Sequence, residues 1–128
     1  MFDYTIETEK ELNQAIESLE EQLKNEGFGV LWMFDIKEKL ESKGLEFSKE
    51  FKVLEVCNPI EAQRILIENE MAGYFLPCKI VVYESNGKTK IGMPRPTSLI
   101  SLLEDEKMKE FALDIEKRLI ACIDKCAP

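Results

Sequence analysis

From Phe2 to Glu7 apolar and polar residues alternate, with Phe2, Tyr4 and Ile6 on one side, and this two-residue period predicts a short strand. At Leu12 the period changes. Leu12, Ala15, Ile16, Leu19 and Leu23 recur at helical spacing with Glu and Lys between them, so this segment reads as an amphipathic helix. Thr8 and Glu11 stand before it at capping-box spacing, and Gly27 closes it. Phe28–Phe34, FGVLWMF, is apolar on both faces, which is the pattern of a strand covered on both sides and predicts an inner strand. Asp35 is placed to cap a short helix through Lys43, ended by Gly44.

In the strand Phe51–Val56, alternation puts Phe51, Val53, Glu55 and Cys57 on one face and Lys52, Leu54 and Val56 on the other. Asn58-Pro59 is a helix start, because Asn can cap and Pro suits the first helical position, where its missing amide would be unpaired anyway. That helix runs to about Met71, and Gly73 breaks it. Lys79–Glu84 and Lys88–Met93 are strands joined by Asn86-Gly87, a strong short-range hairpin signal. After the rigid bend at Pro94 and Pro96, a helix is predicted from about Thr97 to Cys126, with Glu104-Asp105 as the place for a break. Its inward face is Met108, Phe111, Ala112, Ile115, Leu119, Cys122 and Ile123.

These elements predict one α+β domain over residues 1–128: two layers, with a mainly antiparallel sheet of about five strands backed by helices and a long C-terminal helix. One link stays open. The connection between strands 51–56 and 79–84 holds a helix, as a parallel crossover does, and a parallel pair would put Cys57 and Cys78 at opposite sheet ends. An antiparallel pair would bring both to one end.

Charge and composition then remove whole classes of function. Acids outnumber bases 25 to 17, for a net charge of −8, with no Lys/Arg cluster, so nucleic-acid binding is disfavoured. There is no histidine, which excludes Ser-His and Cys-His catalysis and the commonest metal ligand. No apolar run approaches the roughly 20 residues of a membrane span. The acidic, already patterned N-terminus is unlike a signal peptide, so the expected compartment is the cytoplasm and the four cysteines are expected as reduced thiols. No Gly-rich phosphate loop, nucleophile elbow or CxxC is present.

The candidate chemistry centres on Cys57 and Cys78. Beside a helix N-terminus, the dipole and unpaired amides near Asn58 and Pro59 would stabilise a thiolate at Cys57. A thiol pair there could exchange with a disulfide or hold a soft atom, and Asn58 with the helix end could hold a small anion. The plainer reading makes both cysteines small buried hydrophobes at strand ends. Glu55, on the Cys57 face among apolar neighbours, would gain acid–base character if buried; otherwise it is a solvated strand residue, and Glu84 divides the same way. Cys122 and Cys126, four apart on a helix, lack two further ligands for zinc and read as core packing or a dimer contact. Trp32 with Met33 and Phe34 reads as core rather than as a stacking platform.

The run Val53-Leu-Glu-Val-Cys57-Asn58-Pro59, then Ala62, then Leu76-Pro77-Cys78 with Val81 and Glu84 before an Asn-Gly turn, resembles the domain-of-unknown-function family 302 over nearly the whole chain. The resemblance implies a TATA-binding-protein-like α+β arrangement, a curved antiparallel sheet backed by helices, usually as a homodimer. It favours the antiparallel option, with Cys57 near Cys78, and implies no activity. The chain departs from the family's acidic residue before the proline near the last strand, carrying Met93-Pro94 instead. The resulting expectation is a homodimeric protein that binds a small anionic or thiol ligand through Glu55, Cys57, Asn58, Pro59 and Cys78, with no nucleic-acid or membrane partner. Thiol-based redox or sulfur transfer through Cys57 and Cys78, and a partner-binding module without a ligand, are the alternatives.

Overall fold

A computed structural model describes residues 1–128. Strands β1 (Asp3–Thr8), β2 (Gly29–Asp35), β3 (Phe51–Cys57), β4 (Cys78–Ser85) and β5 (Lys88–Pro94) form one five-stranded sheet in the order β1-β5-β4-β3-β2. Every neighbouring pair is antiparallel. The β3–β4 link therefore takes the second of its two options. The chain leaves β3 through helix α3 (Pro59–Glu68), returns through a 3₁₀ turn at Glu70–Tyr74, and enters β4 at the same end of the sheet.

One face of the sheet carries the core. Leu54, Val56, Ile80, Val82, Ile91 and Met93 alternate onto it and are all buried. Two helices cover them: α1 (Leu12–Asn25), through Leu12, Ala15, Ile16, Leu19 and Leu23, and α5 (Glu106–Asp124), through Ile115, Leu119, Cys122 and Ile123. Cys122 and Cys126 are part of this core. A second, smaller cluster joins Ile65 of α3, Ala72, Ile100, Met108 and Ala112. It lies where α3, the 3₁₀ turn, the short helix α4 (Pro96–Ile100) and the first half of α5 meet.

Two local expectations give way to different physics. Thr8 ends β1, buried, where its hydroxyl donates to the Cys126 carbonyl and accepts from the Lys10 amide. The cap of α1 is Glu11, whose carboxylate accepts from the Asn13 amide, so no capping box forms. More consequential is β2, expected inside and found at the sheet edge, with Leu31 62%, Trp32 57% and Met33 45% exposed. Its register with β3 shifts at Leu31, a bulge between Val30 and Trp32. Trp32 stacks on Phe34 at 5.4 Å on the uncovered face instead of entering the core. Apolar residues on both sides of a strand show that it resists water; they do not say what covers it.

The break in the C-terminal helix falls at Ser101–Asp105, with Asp105 capping α5 through the Lys107 and Met108 amides. What fixes α4 across that break is Glu116, a carboxylate only 6% exposed on the inner side of α5. Its Oε1 accepts from the Thr97 amide (3.0 Å) and hydroxyl (2.7 Å), and Oε2 accepts from Arg95 Nη1 (3.1 Å). Arg95, the N-cap of α4, supplies no cap of its own, so a residue from another helix satisfies the orphan amide.

Removing that carboxylate leaves the part-buried Thr97 amide and hydroxyl and the Arg95 Nη1 without their acceptor. Glu116→Ala is expected to lower the unfolding free energy in urea by about 2–4 kcal/mol, and Glu116→Gln, which keeps one acceptor, by less. An Ala variant within about 0.5 kcal/mol of the parent, the range of an ordinary surface change, would show that the cluster does not hold α4 in place.

Candidate functional site

The sheet end at which β3 stops and β4 starts gathers the residues singled out by sequence. Asn58 caps α3: its Oδ1 accepts from the Glu61 amide (3.2 Å) and its Nδ2 donates to the Glu26 carbonyl (3.5 Å). It is 9% exposed. Nδ2 also lies 3.2 Å from the position a Cβ on Gly27 would take, so that glycine, at φ +83°, serves both the turn after α1 and the seating of Asn58. Pro59 occupies the first turn of α3. Both ends of the Asn58 amide are thus committed within the chain. The helix N-terminus is already faced by an anion of its own, Glu61.

Glu61 belongs to a charged cluster that clamps three helices. Arg118 of α5 donates to it through Nη1 at 2.6 Å, and also donates through Nη2 to the Glu26 carbonyl at 3.1 Å while lying over the Phe28 ring. Arg64 holds the other carboxylate oxygen. Partial burial raises the Glu61 pKa, but the Arg118 and Arg64 hydrogen bonds and charges outweigh it, leaving the carboxyl below its ordinary value.

Cys57 and Cys78 are brought to the same sheet end. Cys78 stands opposite Val56, and Cys57 opposite Gly29 on the other side of β3. Residues directly opposite in an antiparallel pair share a face, so Cys78 lies on the core face with Val56 and Ile80. Cys57, one position on from Val56, alternates to the open face with Glu55. The two thiols are neighbours along the rim on opposite sides of the sheet, and all four cysteines are free. Burial pushes the Cys57 thiol up; at Cys78 burial, with a smaller contribution from the Cys57 charge, pushes it up to about 11. The α3 dipole was expected to favour a Cys57 thiolate, whereas the Cys57 pKa is raised, by burial.

A cavity of about 1030 Å³ lies against this rim. On the helical side its wall is Leu99 and Ile100 of α4 with Met108, Phe111 and Ile115 of α5; Phe75, Leu76, Pro77 and Cys78 line its middle. It continues onto the open face of the sheet over Val81, Phe51 and Tyr83, the last two stacked at 4.8 Å. Its polar groups are Glu55 and Lys79, paired in register, with Asp3 and Thr5 across the sheet on β1. Gly92 lies in the floor, where a Cβ would meet Thr5 Oγ1 at 2.6 Å.

Of the residues expected from sequence, Glu55 and Cys78 line this cavity, whereas Cys57, Asn58 and Pro59 stand behind the rim and do not. Glu84 lies exposed at the far end of β4. Sequence reading missed the helical wall. Met108, Phe111 and Ile115 recur at helical spacing as the inward face of the last helix, and the structure keeps them there: Met108 and Ile115 are buried in the two clusters with Phe111 packed against both, and the same side chains border the hollow. Phe75-Leu76-Pro77, apolar residues in a connection, was the available signal. No group of three or more Cys, Asp or Glu side chains is arranged to hold a metal ion.

An antiparallel sheet with one face under helices and an apolar hollow at its rim defines an α+β protein built around a single covered face. The chain belongs to the family described as Domain of unknown function DUF302, whose family profile matches residues 4–126. It is similar to the protein in a crystal structure of an uncharacterized conserved protein DUF302 from Bacillus stearothermophilus, with 60% identity over 98% of this chain and 98% of that one, and a TM-score of 0.96. None of the curated proteins matches the chain. The family resemblance read from Cys-Asn-Pro and Leu-Pro-Cys is borne out, and so is the α+β fold.

Two outcomes follow from these environments. Iodoacetamide at pH 7 should label Cys57 and Cys78 more slowly than free cysteine, with the rate climbing only in alkali, since a raised pKa leaves the thiol protonated. Faster labelling than free cysteine would contradict the burial account. For Glu61, a folded pKa below the unfolded one stabilises above the unfolded value and is lost as pH falls through the folded value. Glu61→Gln should therefore lower stability by about 1–2 kcal/mol at pH 7, and the gap from the parent should close as pH drops below about 4.

Proposed function

We propose that the protein binds a small, largely apolar molecule in the rim cavity, with the molecule's polar end at Glu55 and Lys79. The observation that carries this reading is the cavity itself: about 1030 Å³, with 17 of its 25 lining residues hydrophobic and with Glu55 and Lys79 paired in register in its wall. That is the size and chemistry of a small-molecule site, in which apolar walls give affinity and a few polar groups fix orientation. Cys78 contributes a soft, apolar surface. Asn58, as the cap of α3, and Pro59 in its first turn contribute by holding the end of β3 against α3, so the rim presents Glu55 in a fixed place. We read the functional unit as a cytoplasmic homodimer. Free thiols at neighbouring rim positions suit a reducing compartment.

Thiol exchange through Cys57 and Cys78 is the weaker reading. Its two sulfurs lie on opposite faces of the sheet, and burial disfavours the thiolate at both.

The apolar anionic dye 1-anilinonaphthalene-8-sulfonate serves as the probe. It should bind saturably, one per chain, and Val81→Glu, which sets a charge in the half-buried wall, should weaken binding at least about tenfold, a loss of about 1.4 kcal/mol. Cys57→Ser should leave the dye affinity unchanged, since that side chain lies outside the cavity. Non-saturable binding, or binding indifferent to Val81→Glu in a folded variant, would sink the reading.

A further inference from the structure

We infer that the rim cavity takes a zwitterionic amphiphile, an α-amino acid with a long apolar side chain, whose ammonium meets Glu55 and whose carboxylate meets Lys79. The inference rests on the cavity reading above and names the class of molecule that would fill it.

Three charged residues line the cavity: Asp3, Glu55 and Lys79. Asp3 is engaged inside the chain, its Oδ2 accepting from the Thr5 hydroxyl at 2.6 Å. Glu55 and Lys79 are not. They stand directly opposite each other on β3 and β4, yet neither side chain forms an ion pair with the other or with any third residue. The charges that tie the helices together behave differently: Arg95 with Glu116, and Arg118 with Glu61, are matched at 3.1 and 2.6 Å. The cavity thus offers one free anion and one free cation side by side in a mostly apolar wall.

Their spacing sets the shape of the head. Residues directly opposite in an antiparallel pair have Cβ atoms about 4.5–5.5 Å apart. A head with ammonium and carboxylate on one carbon fits between two such side chains and reaches each within the roughly 4 Å of an ion pair. β4 begins at Cys78, one residue before Lys79, so the head lies at the rim. The apolar side chain then has Leu76, Phe75 and the α5 wall at Met108 and Phe111 ahead of it.

The same two charges reject simpler amphiphiles. A fatty acid gains Lys79 but brings a carboxylate against Glu55; an alkylamine gains Glu55 but brings a cation against Lys79. A neutral head leaves both ions to lose hydration without a partner. A head carrying both signs satisfies both, and the penalty on each wrong head gives selectivity alongside the attraction for the right one. In the empty cavity Glu55 is half-buried and Lys79 exposed, so any passing contact between them is a surface pair that costs a ligand little to displace.

Displacement of 1-anilinonaphthalene-8-sulfonate at neutral pH by 2-aminododecanoic acid, dodecanoate and dodecylamine compares three heads on chains of like length. The amino acid should displace the dye at a concentration at least about tenfold below either singly charged analogue. Glu55→Gln should erase its advantage over dodecanoate and keep that over dodecylamine, and Lys79→Gln should do the reverse. Failure of the amino acid to displace the dye, equal displacement by all three, or strongest displacement by a singly charged analogue would overturn the inference and leave the cavity reading standing. Full preference retained in both variants would overturn the assignment to Glu55 and Lys79. Absence of saturable dye binding would overturn the cavity reading and this inference together. Should a variant fail to bind the dye, the ranking on the parent protein decides.

Discussion

The structure depends on burying one face of one sheet. Leu54, Val56, Ile80, Val82, Ile91 and Met93 alternate inward from three adjacent strands, and α1 and α5 close over them. Each such side chain contributes about 1.5–3 kcal/mol by leaving water, so this face outweighs any polar contact in the molecule. The other face is left open, and the features of functional interest lie there or at its margin. Strand alternation enforces the division: a residue one position from the core face points out, as Glu55 and Cys57 do beside Leu54 and Val56.

Polar contacts do a different job. Glu116, Asn58 and Arg118 each sit where a helix end meets a neighbouring element, and each satisfies groups that the regular hydrogen-bond ladder cannot reach. Glu116 fixes α4, and Asn58 with Arg118 fixes α3 against the turn after α1. The hollow at the sheet end is bordered by α4, α5 and the 3₁₀ turn, and α3 lies outside it. The same groups could not serve a ligand without releasing what they hold, which is why the cap at Asn58 and the cavity are separate places.

Much of this was legible beforehand. The alternating strands, the α1 face and the Asn-Gly hairpin follow from local periodicity and turn chemistry, and the structure keeps them with boundaries shifted by a residue or so. Cys-Asn-Pro and Leu-Pro-Cys identified the family and so the antiparallel β3–β4 pairing, which spacing alone left open. What stayed hidden depends on three-dimensional neighbours. Glu116 looks like one more acid on a charged helix until Thr97 and Arg95 are placed against it. Phe111 packs against both core clusters as its spacing implies, but that it also borders a hollow depends on α4 and the sheet end meeting beside it. The face that each cysteine takes depends on strand pairing, which no single strand reveals. At β2 the doubly apolar pattern predicted an inner strand, whereas the sheet order leaves it at the edge with Leu31, Trp32 and Met33 exposed, because strand order is set by pairing across the whole sheet.

Gly92 carries a consequence for how such a site could diversify. With no side chain there, β1 and β5 draw close enough for the Thr5 hydroxyl to occupy the room a methyl group would need. The cavity floor at that point is therefore shaped by an omission on one strand and a small residue on the next. A lineage seeking a deeper or shallower berth would not need to remodel any helix. Exchanging Thr5 for a bulkier or smaller neighbour, with the glycine kept as the fixed notch, would retune the berth from the rim of the sheet inward and leave the folding core untouched.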